Sequence, residues 1–283
     1  EHRVKGDEVM NDGLYDSHDR YSNEKRLAQL SADYVLNLNG RGDRISVSGR
    51  LRHDWYALEY TESNMFDGSG ARYEGTRGYE KEHHWDFDGV ASLLVNYRPS
   101  GRIEAGYQYT SYSEHGEYNI KYWDRKMKDF VWQDNLHAPF FYRRQIHSLY
   151  AMLTDRMGKV EFDAGLRADH TIDELTISVA GADRYIRRLE LFPSAHVSYD
   201  AGRGNVLTLG YSYRTNRPGI WQLEPYITYE DYYTKQIGNP DIRPEYIHTV
   251  EVGYRKSFAQ ENSVSLTAFC RSRRGVMDKV RVP

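Results

Sequence analysis

Apolar and polar residues alternate along most of the chain, and this alternation is its main structural signal. The cleanest segment runs from Val160 to Asp169, where Val, Phe, Ala, Leu and Ala alternate with Glu, Asp, Gly, Arg and Asp. Because successive side chains on a β-strand point to opposite faces, such a segment has one apolar and one charged face. For residues 145–155 the pattern indicates a strand without showing which face is apolar. The pattern predicts about ten strands, with approximate cores at 28–39, 43–58, 84–98, 102–113, 145–156, 159–169, 190–199, 205–215, 247–257 and 262–273.

The connections between these strands alternate between short and long. The short ones are residues 40–42, 99–101, 157–158, 200–204 and 258–261, and the long ones are roughly 61–82, 114–143, 170–189 and 216–246. All short turns therefore lie at one end of the strands, as in an outer-membrane barrel with short periplasmic turns and long extracellular loops. The fold predicted is all-β, an antiparallel up-and-down transmembrane β-barrel. A soluble β-sandwich, whose core would be the apolar face, is the alternative.

Composition fits a barrel without requiring one. Mean hydropathy is -0.79, and the sequence has no apolar run of about 18 residues, which excludes a membrane-spanning helix but not spanning strands. The 25 tyrosines suit strands and membrane interfaces. Trp85 and Phe87 lie near the long-loop end of their strand and Tyr97 near its short-turn end, as aromatic girdles would. The net charge of -3 gives no reason to expect a nucleic-acid partner.

The sequence has no convincing catalytic or metal-binding motif. A Gly-rich phosphate loop, a Gly-x-Ser-x-Gly elbow and a cysteine-based site are all missing, so we expect neither an enzyme nor a cofactor. His83 and His84 follow Glu82, but adjacent strand residues face opposite ways and are not expected to chelate one ion.

Aromatic residues beside charged ones make two predicted extracellular loops the best candidates for ligand binding. Such side chains can stack on sugars, chelates or peptides while polar groups fix orientation. Packing within the loop is the alternative for each residue taken singly. The candidate ligand-binding residues are Tyr122, Trp123 and Trp132 in loop 114–143, and Trp221, Tyr229 and Tyr232 in loop 216–246.

Three short motifs follow one another between Tyr211 and Tyr254. They are Arg214-Thr-Asn-Arg217-Pro218, Leu223-Glu224-Pro225 and Gly238-Asn239-Pro240-Asp-Ile-Arg-Pro244-Glu245. In this order they resemble the barrel of TonB-dependent outer-membrane receptors, most closely the outer-membrane β-barrel group common in Bacteroidetes. The motifs cover about 60 residues, and Leu191-Phe192-Pro193-Ser194 upstream is also similar to that group.

The resemblance implies a 22-stranded barrel with an N-terminal plug, in the outer membrane of a Gram-negative bacterium. It implies uptake of a scarce nutrient (a siderophore, glycan or peptide), with the outer-membrane lipid, the extracellular ligand and the TonB complex as partners. Neither a plug nor a TonB box is visible in the sequence, and ten strands cannot close a 22-stranded cylinder. Residues 1–283 are therefore expected to be a partial barrel domain whose plug lies outside this segment. A complete small porin-like barrel for passive diffusion is the alternative.

The third motif is expected to form an ordered loop that returns into a strand. Asn239-Pro240 and Arg243-Pro244 restrict the residue before each proline to extended conformations, and Gly238 permits backbone angles that other residues avoid. Arg214, Arg217 and Glu245 are expected to pair near the barrel rim. The residues predicted to anchor this loop, with direct ligand contact as the alternative, are Arg217, Pro218, Gly238, Asn239, Pro240, Pro244 and Glu245.

Overall fold

The computed structural model describes residues 3–5, 8–10, 16–132, 138–177, 183–224, 227–229, 235–258 and 262–280. The elements in chain order are β1 (Arg3–Lys5), β2 (Glu8–Met10), β3 (Asp16–Asn37), β4 (Arg44–Phe66), β5 (Arg72–Arg98), β6 (Gly101–Asp124), β7 (Asp129–Trp132), β8 (Ala138–Met157), β9 (Val160–Ile177), β10 (Arg184–Gly202), β11 (Asn205–Asn216), α1 (Ile220–Leu223), β12 (Ile227–Tyr229), β13 (Lys235–Ile237), β14 (Glu245–Ser257) and β15 (Ser263–Arg274).

Ten long strands form one antiparallel sheet in which neighbours in space are neighbours along the chain. Their order is β3-β4-β5-β6-β8-β9-β10-β11-β14-β15, and β7 pairs with the far end of β6. This confirms the ten predicted strands and their up-and-down order. Within the described residues β3 and β15 each pair on one side only, and every residue of both strands is exposed. The ten strands therefore form an open sheet.

The apolar face of the sheet points outward. Several of its large apolar side chains are between 46% and 72% exposed, namely Leu149, Leu191, Leu207, Val252 and Leu266. Soluble proteins rarely expose so large an apolar surface, whereas in a membrane barrel lipid covers it. The soluble sandwich is therefore wrong, because its core would be this face. Pairing of Tyr107 with Leu149 and of Ala105 with Ala151 also resolves the face of β8 that the sequence left open.

We call this apolar surface the lipid band and the opposite, polar surface the inner face. On β5 the lipid band extends from Tyr97, beside the short turn, to Trp85, and both rings are nearly half exposed. Polar side chains on the inner face line the lumen in barrels of this kind. No helix in the described part of the chain is long and apolar enough to cross a membrane.

Three of the four predicted long loops are wrong, because the strands continue through them. β4 and β5 run on to a turn at residues 67–71, β6 continues to Asp124 and pairs with β7, and β9 and β10 extend to Ile177 and from Arg184. A barrel strand crosses the membrane in about 10 residues, whereas β5 has 27. The surplus forms hairpins beyond the lipid band. The sequence did not reveal them because the outward face becomes polar there and the regular alternation of the lipid band ends, although the hydrogen-bonded ladder continues.

Candidate functional site

Beyond the lipid band, the inner face is covered by the segment after β11. Leu223 of α1 is buried in one cluster with residues of β6, β8 and β9, and Ile220 and Ile242 pack against the same cluster. We call the described residues 217–224 and 235–242 the cover segment. The strand residues of the cluster are Tyr118, Ile120, Phe140, Tyr142, Leu175 and Ile177. The described part of the fourth predicted loop, 216–246, is therefore folded, and its residues Ile220, Leu223 and Ile242 hold it against the inner wall.

Gly238 joins the two halves of the cover segment through its backbone. Its N–H donates to the Glu224 carbonyl at 2.7 Å, and the N–H of Asn239 donates to the Gln222 carbonyl at 2.7 Å. A Cβ on Gly238 would lie 2.7 Å from the backbone N and O of Glu224. The φ of Gly238 is not in the left-handed region, so the expected reason for this glycine was wrong. Close backbone approach requires it, not an unusual angle.

Asn239 closes the turn that follows Gly238, and three prolines lie around it. The Asn239 side-chain oxygen accepts from the N–H of Asp241 at 2.9 Å, and the N–H of Ile242 donates to the Asn239 carbonyl at 3.1 Å. Pro218 and Pro240 line a small gap over the buried cluster, and Pro244 directly precedes β14. The motif thus forms an ordered loop that returns into a strand.

Arg217 anchors the cover segment to two strands of the inner face. Its guanidinium donates to Asp169 of β9 and to Glu190 of β10, each at 2.9 Å, and all three side chains are at most 14% exposed. The expected pairing of Arg217 with Glu245 is wrong. Glu245 instead accepts from Asn216 at 3.0 Å and from the backbone N–H of Met277 at 2.9 Å.

A chain of polar contacts continues from this anchor down the inner face. Arg167 donates to Asp169 at 2.7 Å, to Gln108 at 2.8 Å and to Ser148 at 2.7 Å. Gln108 then donates to Asp88 at 2.8 Å. The cover segment is therefore linked, contact by contact, to side chains at the level of the lipid band.

The hairpin of β6 and β7 carries three of the predicted ligand-binding aromatics. Tyr122 is partly buried and packs against the cluster beneath the cover segment. Trp123 packs edge-on against Phe130 at 5.4 Å, with Arg72 4.7 Å from its ring centre. These two residues have packing roles. Trp132 is 51% exposed, and the Lys121 ammonium lies 4.3 Å from its ring centre.

The other predicted aromatics belong to the connection after β11. Trp221 lies on α1, is 51% exposed, and has the Lys279 ammonium 5.8 Å from its ring centre. Tyr229 is the last residue of β12, of which the structure describes the backbone. Tyr232 lies outside the described residues. Trp132 and Trp221 thus have exposed rings. Trp132 pairs with Lys121, which shares the outward face of Tyr107 on β6, whereas Trp221 lies on the cover segment.

A partly buried ion cluster fixes the hairpin of β4 and β5 well beyond the lipid band. Glu62 accepts hydrogen bonds from Tyr60, from Asn64 at 2.8 Å and from Arg77 at 3.2 Å. Burial acts to raise the pKa of Glu62, but these hydrogen bonds and the charge of Arg77 outweigh it and lower the pKa to about 2. The carboxylate therefore stays ionised, and its contacts stabilise the hairpin.

The structure also brings together a group that the sequence reasoning missed. On the inner face, Glu82 and His84 of β5 lie beside Glu114 of β6, with one donor atom of each within 4.8 Å of the others. The sequence argument considered the adjacent His83 and His84, which do face opposite ways. The informative spacing is Glu82-x-His84, because residues i and i+2 share a face of a strand.

Known proteins resemble this chain in sequence pattern and in fold. The sequence model of the "outer membrane protein beta-barrel family" matches residues 37–282. The ferric citrate transporter FecA in its unliganded form superposes with a TM-score of 0.57 at 14% identity, over 90% of this chain and 35% of that one. The Serratia marcescens hemophore receptor HasR, in a complex with HasA and heme, gives 0.47 at 16% identity, over 92% and 46%. No curated protein matches. The chain spans about a third of the length of FecA, and at these identities the likeness concerns the fold.

Proposed function

Because the chain belongs to the outer membrane protein beta-barrel family and lies in the outer membrane of a Gram-negative bacterium, we propose that it forms part of a receptor for energy-dependent nutrient uptake. The nutrient is a siderophore, a glycan or a peptide. A plug outside this segment gates the barrel, and the TonB complex supplies the energy through that plug.

The length of the strands beyond the lipid band carries this proposal. β4, β5 and β6 have 23, 27 and 24 residues, more than twice the roughly 10 needed to cross. A passive channel needs only the crossing part. The surplus here builds a wall outside the membrane, and the cover segment lies against its inner surface. Such a wall provides concave surface on which a ligand can be held before transport.

The open edges of the sheet support a larger barrel. β3 and β15 each have one hydrogen-bonded neighbour among the described residues, and unpaired strand edges are not stable in lipid. Ten strands matching 35% of FecA are consistent with one continuous part of a 22-stranded wall. In this proposal the remaining strands pair with β3 and β15.

Trp221, on the cover segment, is the proposed ligand contact at the inner surface, with Tyr229 and Tyr232 as further candidates in the connection after β11. Trp132 is a second candidate, on the outward face of the hairpin of β6 and β7. Each tryptophan presents an exposed ring beside a lysine, Lys121 or Lys279. An aromatic face with an adjacent cation suits a ligand that combines planar or ring surface with negative charge. The fold shared with a protein named as a ferric citrate transporter makes metal chelates the first class to test, as an analogy between folds.

Uptake in cells with and without TonB tests the proposal. Radiolabelled ferric citrate, a fluorescent oligosaccharide and a labelled oligopeptide are the three probes. We expect one of them to accumulate only when TonB is present, and Trp132→Ala or Trp221→Ala to reduce its binding. Trp85→Ala, at the edge of the lipid band, is the matched control and should leave binding unchanged. Rapid swelling of proteoliposomes in small sugars, independent of TonB, would instead establish passive diffusion.

A further inference from the structure

The residues Glu82, His84 and Glu114 lie just beyond Trp85, where the lipid band ends. Glu82 and His84 occupy alternate positions on β5, and Glu114 is the direct partner of His84 on β6. Their side chains are 21%, 14% and 2% exposed. Three potential metal ligands thus converge on the inner face with little access to water.

The distances between their donor atoms suit a single metal ion. The His84 Nε2 lies 2.7 Å from a Glu82 oxygen and 3.7 Å from a Glu114 oxygen. Tetrahedral ligands about 2.0–2.1 Å from a zinc ion lie roughly 3.3 Å from one another. The observed separations bracket this value, so small side-chain rotations would complete the site.

A third carboxylate fixes the orientation of the imidazole. The His84 Nδ1 lies 3.3 Å from Asp54 on β4, and Asp54 is itself held by Lys25 at 2.9 Å and Arg52 at 3.1 Å. The ladder between β4 and β5 shifts register immediately after Asp54. A carboxylate behind the ring is the usual support of a metal-binding histidine, because it sets the tautomer that leaves Nε2 free for the metal.

The charges around the cluster suit a bound cation. The two cations near Asp54 are paired with Asp54, and within 4 Å of Glu82 or Glu114 the described residues supply only His84 as a positive partner. Tyr112 donates a hydrogen bond to Glu114, which orients that carboxylate without neutralising it. Glu82 and Glu114 face one another beside His84, and a divalent ion between the two carboxylates would remove their mutual repulsion.

We infer that Glu82, His84 and Glu114 form a binding site for a divalent metal ion of the zinc class, with Asp54 as the supporting carboxylate. One imidazole and two carboxylates are a ligand set that zinc accepts, with the fourth position open to water or to a donor atom in the lumen. The inference is independent of the nutrient that the barrel transports.

Zinc titration of the purified protein in detergent, freed of metal with a chelator, tests the site. Calorimetry should show saturable binding of one zinc ion per chain, at the site formed by Glu82, His84 and Glu114. Glu114→Gln, which keeps the shape of the side chain and its bond to Tyr112, and His84→Ala should abolish that binding. Asp54→Asn should weaken it by about 10- to 100-fold.

The matched control is His83→Ala, one residue away on the opposite face, which should bind zinc like the unchanged protein. Cobalt in place of zinc gives a second readout, because its visible absorption reports tetrahedral coordination whether or not a variant is somewhat less stable. Three results would overturn the inference: no saturable binding, undiminished binding in Glu114→Gln, or equal loss in His83→Ala. Each would make the cluster an ion-pair network without a metal.

Discussion

Replacing Arg217 with alanine should loosen the cover segment without unfolding the sheet. The change removes two charged hydrogen bonds, to Asp169 and Glu190. Breaking a buried ion pair typically costs about 3–5 kcal/mol. The cost should be smaller here, because Asp169 keeps Arg167 at 2.7 Å and Glu190 keeps Tyr246 at 2.5 Å. We therefore expect about 2 kcal/mol, the range of one strong charged hydrogen bond.

Hydrogen exchange of the cover segment measures this loss. The amides of Gly238, Asn239 and Ile242 are hydrogen-bonded within the cover segment, so their exchange reports its opening. A loss of about 2 kcal/mol corresponds to opening that is roughly 30-fold more frequent. Arg187→Ala is the matched control, because Arg187 is exposed and, among the described residues, donates to the nearby Tyr185 alone. Exchange no faster in Arg217→Ala than in this control would refute the anchoring role.

Three further predictions concern backbone contact, lipid exposure and pH. Gly238→Ala should expose the cover segment to protease, because its Cβ would lie under 3.0 Å from backbone atoms, whereas Gly68→Ala, with nothing within 4 Å, should not. Leu149→Arg, on the outward face, should destabilise the barrel in lipid by about 2–4 kcal/mol in urea titrations, and Met152→Arg, on the inner face, by clearly less. Because the pKa of Glu62 is lowered to about 2, its stabilisation is complete above the unfolded pKa and is lost as pH falls from about 4.5 towards 2. Proteolysis of the β4–β5 hairpin by pepsin across that range should accelerate with falling pH, and a flat profile would contradict the assignment.

The part of the fold inside the lipid band could be predicted from the sequence, because lipid imposes a strict rule there. Every second residue must be apolar, so the strand around Val160–Asp169 is legible residue by residue. Beyond the band that rule ends. β5 continues from Trp85 back to Arg72 with mostly polar side chains on both faces, and the hydrogen bonds to its neighbours, with the side-chain contacts around Glu62, keep it extended.

The candidate site was predictable where a motif constrained the backbone and not where strands meet. The proline-containing motifs indicated an ordered loop, and Arg217 and Gly238 do anchor it. Their partners, Asp169 and Glu224, depend on register and on tertiary packing that one sequence does not specify. The same holds for Glu114, which reaches Glu82 and His84 only because β5 and β6 pair at that register.

The extra length of the hairpins also sets the electrostatic environment of the entrance. At about 3.3 Å per residue and a tilt near 40°, the 27 residues of β5 rise roughly 70 Å, so on the order of 40 Å stands beyond an apolar band about 25 Å tall. Charge is screened over about 8 Å in physiological salt. An anionic ligand arriving at the tips of the hairpins is therefore several screening lengths from the lipid headgroups. The potential at the tips is therefore set by nearby side chains such as Lys121 and not by the headgroups.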